Sequence, residues 1–314
     1  MAKRRIPALD LLAWIPTRAL IALLAWAPER PVYGLVAAAG RLWFRLAGAR
    51  RAIALANLRL ALGDGRDAAA LTALGRRATG EVFRVLVDVA RTPRLLRSGG
   101  FARRVEDHEL VEAAAEAARL APGRGPIICS PHLGSWEAGS FLLARQFGEL
   151  DVIARPMPNP WLQRWLVTNR SRAGQRIHPR RGGIRALRRG LRRGAAAVFL
   201  PDQNQRIGGI FVPVFGKMAA CDRSPAGLAL LGGHPVIVAA MLRDGPGYRF
   251  RARIARVFLP AQLPGEDREA AITRTTRDIH AAVETLIRET PEQYFWVHNR
   301  YRTRPPEERD RAAS

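Results

Sequence analysis

The chain has 314 residues, 48% of them apolar, and 51 basic against 27 acidic side chains give it a formal net charge of +24. That suits one large domain or two small ones with a substantial core, and with only Cys129 and Cys221 it excludes a disulfide framework or a CxxC metal pattern. Lysine occurs only at Lys3 and Lys217; the other cations are arginines, whose forks grip phosphate and whose charge draws a surface toward anionic membranes or nucleic acid.

Lys3, Arg4 and Arg5 precede an apolar stretch from Leu9 to Ala27, interrupted by Pro16 and Arg18 and closed by Pro28-Glu29-Arg30-Pro31. A second apolar stretch, Val32 to Ala47, contains Arg41 and Arg45. A comfortable membrane span needs about 20 mostly uncharged residues, and neither stretch supplies that cleanly. A signal peptide would need a clearer small-x-small cleavage site. A marginal span with its basic end inside and an interfacial anchor burying Trp14, Trp26, Trp43 and Phe44 both fit. Residues 1–50 are therefore expected to attach the chain to a membrane.

Residues 51–100 read as a helical shoulder. Ile53, Leu55, Leu58 and Leu62 fall at helical spacing, Asp64-Gly65 marks a turn, and Asp67 caps a helix from Ala68 to about Ala90. The catalytic domain, 51–304, then alternates. Helices are expected at Glu109–Leu120, Trp136–Phe147, Pro160–Ala173, Ile184–Arg193, Pro225–Leu231 and Asp267–Glu289. Strands are expected at Ile127–Ser130, Val152–Ala154, Arg176–His178, Ala196–Leu200, Val236–Leu242 and Tyr248–Val257. Such alternation predicts an α/β fold, a mostly parallel sheet flanked by helices, with its site at the carboxyl ends of the strands. His132, Arg155 and Asp202 each follow a predicted strand. The charged tail, 305–314, is expected to be disordered.

The first predicted strand runs into Pro131-His132-Leu133-Gly134-Ser135-Trp136-Glu137. Positions i and i+5 diverge on a continuous helix, so His132 and Glu137 meet only if the backbone turns between them, which Gly134 and Ser135 permit. A carboxylate on one imidazole nitrogen fixes the tautomer and leaves the other nitrogen as a base. That base can deprotonate an acceptor hydroxyl directly, with no Ser or Cys nucleophile. A structural histidine beside a helix start is the alternative.

From Arg155 to Arg193 the chain carries twelve arginines and no acid. A solvated face explains such a run as readily as a headgroup surface does. Nucleic acid is not expected, because no RNA-binding signature is present and Trp161 and Trp165 are the only aromatics there. Pro201-Asp202-Gln203 follows a strand end, with Asp202 placed to hold an arginine or tune His132 and Gln203 able to donate to substrate. Phe211 to Gly216 reads as an apolar loop, either an acyl-tunnel wall or core. Arg223 and Ser224 open a helix and are weaker phosphate candidates. Tyr294, Phe295 and Trp296 close the chain, with His298 read as structural. No HExxH, Walker A or strand-linked GxGxxG is present, so neither a metal nor a nucleotide cofactor is expected.

Together with Phe199-Leu200-Pro201-Asp202-Gln203-Asn204-Gln205, Gly209 to Gly216 and Pro291 to Tyr301, the His132 block resembles, in order, the bacterial lipid A secondary (lauroyl or myristoyl) acyltransferases. This chain has Leu133 and Ser135 where that family commonly has Phe and Asn, and Ser130-Pro131 where it often has Thr-Gly. The resemblance covers nearly the whole chain. It implies a glycerol-phosphate-acyltransferase-like sheet and an N-terminal inner-membrane anchor with the catalytic part on the cytoplasmic face. It also implies transfer of a fatty acyl group to a hydroxyl on a lipid A precursor.

On that reading His132 is the base and Glu137 its orienting carboxylate. Backbone amides near Gly134 or a nearby arginine hold the oxyanion. Arg170 stands where similar acyltransferases carry an arginine near the site, with Arg155 the second choice. Asp202 and Gln203 stand by the acceptor phosphate or the histidine. The donor is a thioester of acyl carrier protein or of coenzyme A. The alternatives are a coenzyme A-dependent glycolipid or glycerolipid acyltransferase, of the phosphatidylinositol mannoside type, and a non-enzymatic basic protein bound to membrane or nucleic acid.

Overall fold

The central strand of the molecule is all core: Ile127, Ile128 and Cys129 are completely buried. The computed structural model of the chain describes residues 7–308; the basic triplet Lys3, Arg4 and Arg5 and the end of the tail, 309–314, lie outside them. The strands are β1 Val105–Glu106, β2 Ile127–Cys129, β3 Leu150–Ile153, β4 Gln175–His178, β5 Ala196–Phe199, β6 Ile210–Val214, β7 Lys217–Cys221, β8 Val236–Arg243 and β9 Phe250–Phe258. The longer helices are α1 Pro7–Trp26, α2 Glu29–Leu46, α3 Gly48–Leu62, α4 Ala68–Arg97, α5 His108–Leu120, α6 Trp136–Phe147, α7 Pro160–Arg172, α8 Arg180–Arg192, α9 Ser224–Gly232 and α10 Arg268–Glu289.

Seven strands form one sheet in the order β1-β9-β8-β2-β5-β3-β4. Every pairing is parallel except β8 with β9, which breaks register at Val238/Ala239. A parallel sheet must be covered on both faces, and two hydrophobic clusters do this. Leu187, Leu191, Ile272, Val283 and Leu286 of α8 and α10 pack on one face. Leu110, Ala113, Phe141 and Leu142 of α5 and α6 pack on the other. This is the α/β architecture that the alternation predicts.

The helix starts follow local chemistry. Asp67 and Asp267 each accept the backbone N–H three residues on at 2.7 Å, and Asn159 caps α7 just before Pro160.

Three elements depart from expectation. Pro16 sits inside a continuous α1, and α4 runs through Pro93 to Arg97 rather than ending near Ala90. The apolar stretch at Phe211 is a strand, not a loop: β6 pairs antiparallel with β7 as a separate hairpin. Val212, Val214 and Phe215 are buried in the core, which favours packing over an acyl-tunnel wall. The hairpin turn Phe215-Gly216 has φ of 49° and 76°, positive at both positions. Phe215, the unusual residue for that geometry, is held by its N–H donating to Glu284 at 2.7 Å.

The N-terminal helices are tied into the sheet. Asp88 of α4, wholly buried, accepts from Tyr33 Oη of α2 at 2.6 Å and from the Arg243 guanidinium at the end of β8. Glu29 accepts from Arg104 and from the Tyr248 backbone N–H. By contrast α1 and α2 leave apolar side chains outward. Leu12, Ile15 and Leu23 are about 60% exposed, and Leu35 and Leu46 more than 70%. Leu9–Trp26 is long and apolar enough, by length and composition, to cross a membrane. The helix stays continuous through Pro16 and Arg18, so the stretch is a cleaner candidate than its interruptions suggest.

Candidate active site

Three strand ends converge on one loop. After β2 the Ser130 N–H still donates to Phe199 of β5 at 3.0 Å, and Pro131 then turns the chain out of the sheet. Gly134 adopts φ +61°, and a Cβ there would stand 2.0 Å from the Met241 carbonyl oxygen. Only glycine lets the loop lie this close to β8. Ser135 donates its N–H to Met241 at 2.8 Å and caps α6 with its hydroxyl. On the other side the Phe295 N–H donates to the His132 carbonyl at 3.1 Å.

His132, held in that loop, is gripped twice by one carboxylate. Its backbone N–H donates to Asp202 Oδ2 at 2.9 Å, and its ring Nδ1 stands 2.8 Å from Asp202 Oδ1. A carboxylate only accepts, so the proton sits on Nδ1 and Nε2 carries the lone pair. Gln203 presents its side-chain amide to Nε2 at 3.2 Å. Trp136 meets the ring edge-on at 5.1 Å and Phe295 lies at 6.1 Å. Asp202 is 4% exposed. Burial alone would raise its carboxyl, but the His132 charge, the ring and backbone hydrogen bonds and the Arg300 charge together hold it down at about 2.

The carboxylate on the ring is therefore Asp202, not Glu137. Glu137 turns instead to Arg170 of α7, whose Nη2 donates to its Oε1 at 2.6 Å, with both side chains half-buried. The turn at Gly134 and Ser135 brings α6 in beside α7 rather than folding Glu137 back on the histidine. Asp202 and Gln203 reach His132 as the strand-end pattern suggested, whereas Arg170 meets Glu137 alone among the described residues. Arg155 does not: it follows β3, two strands from β2, is exposed, and makes no hydrogen bond or ion pair among the described residues.

The expected oxyanion donors near Gly134 are also taken. The N–H groups of Leu133, Gly134 and Ser135 donate to the carbonyls of Pro131, Gln293 and Met241. The side-chain donor that meets the ring at Nε2 is the Gln203 amide. Arg223 pairs with Glu269 on the surface.

Sequence reasoning missed Arg300, which is buried and donates to the Gln203 and Ala220 carbonyls at 3.0 and 2.7 Å, fixing the Asp202-Gln203 turn from beneath. His298 accepts the Asn204 N–H at 3.0 Å, and burial lowers its basicity, so it supports the same turn as a neutral ring. The dense polar and aromatic run Pro291 to Tyr301 was the available signal. Cys129 is buried in β2 and burial raises its thiol far above the ordinary range, which makes it inert. Among the described residues no cluster of His, Cys, Asp or Glu is arranged to hold a metal.

An apolar slot of about 40 Å³ opens beside this site, between α5, α6 and the sheet, lined by Ser130, Trp136, Gly139, Leu142, Val198 and Met241 among others.

The sequence profile for bacterial lipid A biosynthesis acyltransferases matches residues 3–303. The chain is similar to the lipid A biosynthesis lauroyltransferase of Escherichia coli (strain K12), 30% identical over 194 residues, 58% of each chain. It is 27% identical over 195 residues to the palmitoleoyltransferase of the same organism, covering 58% of this chain and 57% of that one. It is 25% identical over 138 residues to the phosphatidylinositol mannoside acyltransferase of Mycobacterium tuberculosis (strain ATCC 25618 / H37Rv), 43% of this chain and 44% of that one. The aligned stretch thus spans a little over half the length of the first two relatives.

Proposed function

Because the chain belongs to the bacterial lipid A biosynthesis acyltransferase family, we propose that it moves a fatty acyl group from a thioester to a hydroxyl of a lipid A precursor. Acyl carrier protein is the expected carrier of the donor. The observation that carries this reading is the His132 ring, anchored at Nδ1 by the buried Asp202 with Nε2 turned to an exchangeable amide.

In the proposed mechanism the acceptor hydroxyl takes the place of the Gln203 amide at Nε2. His132 removes its proton as the oxygen attacks the thioester carbonyl. The bond to oxygen forms, the carbon–sulfur bond breaks, and the imidazolium returns the proton to the departing thiolate. Asp202 holds the ring and stabilises the imidazolium. The displaced Gln203 amide and the Arg170 guanidinium, kept in position by Glu137, face the negative charge that develops on the carbonyl oxygen. The inert, buried Cys129 and the cap role of Ser135 support transfer without a covalent intermediate. The slot lined by Trp136 and Met241 lies where an acyl chain would enter, although its volume in this structure requires side chains to open.

The exposed leucines of α1 and α2 support attachment to a membrane. We read the attachment as an inner-membrane one with the sheet domain on the cytoplasmic side, in a glycerol-phosphate-acyltransferase-like arrangement. The mannoside acyltransferase similarity sustains one other reading, coenzyme A-dependent acylation of a different glycolipid. The test is a transfer assay in detergent with acyl carrier protein and coenzyme A thioesters, offered a lipid A precursor or a phosphatidylinositol mannoside. Acylation of the lipid A precursor from acyl carrier protein is expected. Acylation of the mannoside alone, from coenzyme A, would replace this reading with the other.

A further inference from the structure

A cavity larger than the slot beside His132 lies elsewhere in the fold. It holds about 420 Å³ and lies where α1, α4 and α7 face one another. Each helix offers one stripe at helical spacing. From α1 come Trp14, Arg18, Ile21 and Ala25; from α4, Ala90, Arg94 and Arg97; from α7, Trp161, Trp165, Asn169 and Arg172, with Arg164 beside them. Five arginines and four of the chain's seven tryptophans line it, and no carboxylate does so among the described residues.

Like charges do not gather around an open space without cost. Elsewhere in this chain Arg243 pairs with Asp88, Arg176 with Asp151 and Arg170 with Glu137, whereas Arg18, Arg97, Arg164 and Arg172 at this cavity are exposed. Here only Arg94 is engaged, stacked 4.0 Å above Trp26 and donating to the Ala25 carbonyl at 3.0 Å. Arg18, Arg97, Arg164 and Arg172 make no hydrogen bond or ion pair among the described residues. The walls are fixed: Asn159, the cap of α7, also donates to the Asp10 carbonyl of α1 at 2.8 Å. Tryptophan beside arginine is the composition that sits at headgroup depth.

We propose that this cavity is a binding site for the phosphate monoester headgroup of a membrane lipid, distinct from the acyl-transfer centre. A dianionic phosphate matches several guanidinium forks and supplies the missing negative charge. The α1 face holds the lipid's chains in the bilayer while the headgroup enters between the helices. On α7 the two sites separate by side: Arg170 turns to Glu137, whereas Arg172 turns into the cavity.

The test uses the full chain carrying His132→Ala, so that catalysis plays no part. Tryptophan fluorescence, reported by the cavity's own indoles, is followed as phosphatidic acid in phosphatidylcholine vesicles is added. Plain phosphatidylcholine vesicles and soluble glycerol 3-phosphate serve as the other arms. The expected result is a saturable response to phosphatidic acid that weakens about tenfold for each guanidinium removed, so about a hundredfold in Arg164→Gln/Arg172→Gln. Arg188→Gln/Arg189→Gln on α8 removes the same charge from an exposed face and should bind like the parent. All four positions are exposed, and a melting curve confirms that each variant folds. Equal losses in the two double variants would reduce the effect to net charge and overturn the site. An equally tight response to glycerol 3-phosphate would overturn its assignment to a lipid.

Discussion

Asp202 carries more of the site than its place in a strand-end turn suggests. It binds the backbone and the ring of His132 at once, so it sets position, tautomer and charge together. Asp202→Asn removes the acceptor that keeps the proton on Nδ1. The expected result is a fall in the transfer rate of about a thousandfold or more, with a nearly unchanged KM for the thioester; steady-state kinetics on the folded variant check it. The carboxyl is held at about 2 against an ordinary 3.8, a lowered value, so its contribution to stability is present above about pH 4 and lost as pH falls toward 2. That contribution is roughly 2 kcal/mol. Chemical denaturation of parent and Asp202→Asn at several pH values should show the gap close only in that acid range.

At the scale of elements, the site is made by the turn between β2 and α6 and by the pairing of α6 with α7. Gly134→Ala puts a Cβ against the Met241 carbonyl oxygen at a positive φ and should cost about 2 kcal/mol or more, seen as a lower melting temperature and weakened activity. Glu137→Gln and Arg170→Gln each break the same ion pair. Each should lower transfer by about a hundredfold, with the double variant little worse than either single one; a double-mutant cycle on kcat measures the coupling.

The elements were largely legible in the sequence because their signals are local: Asp67 as a cap, apolar runs bounded by glycine, and Pro160 and Asp267 at helix starts. The pairing of Asp202 with His132 was open to view only as one of two options, because it joins residues 70 positions apart, while the nearer Glu137 satisfied the same chemical need. The hairpin escaped because Phe215 takes a backbone geometry that usually advertises itself with Asn, Asp or Gly. Arg300 escaped because the polar and aromatic run Pro291 to Tyr301 marks a packed segment without saying which of its cations is buried.

For the whole molecule, the Asp88 cluster joins α2 and α4 to the end of β8 and so to the sheet that carries the site. Asp88→Ala leaves the buried Arg243 with Glu81 as its one carboxylate among the described residues and is expected to cost about 3 kcal/mol. Tyr33→Phe removes one hydrogen bond and should cost about 1 kcal/mol; denaturant melts compare the two. Attachment to the bilayer should depend on α1: Leu12→Glu with Leu23→Glu is expected to weaken vesicle partition at least about tenfold, as read by flotation.

Direct transfer with His132 as base leaves no acyl group on the protein at any stage. A single-turnover reaction with labelled acyl thioester and acceptor, quenched in acid and resolved into protein and lipid, tests it most directly in parent and His132→Ala. Label is expected to pass from thioester to lipid with none on the protein, and the rate in His132→Ala to fall by about a thousandfold or more. Acyl label accumulating on the protein, or an undiminished rate without His132, would contradict it.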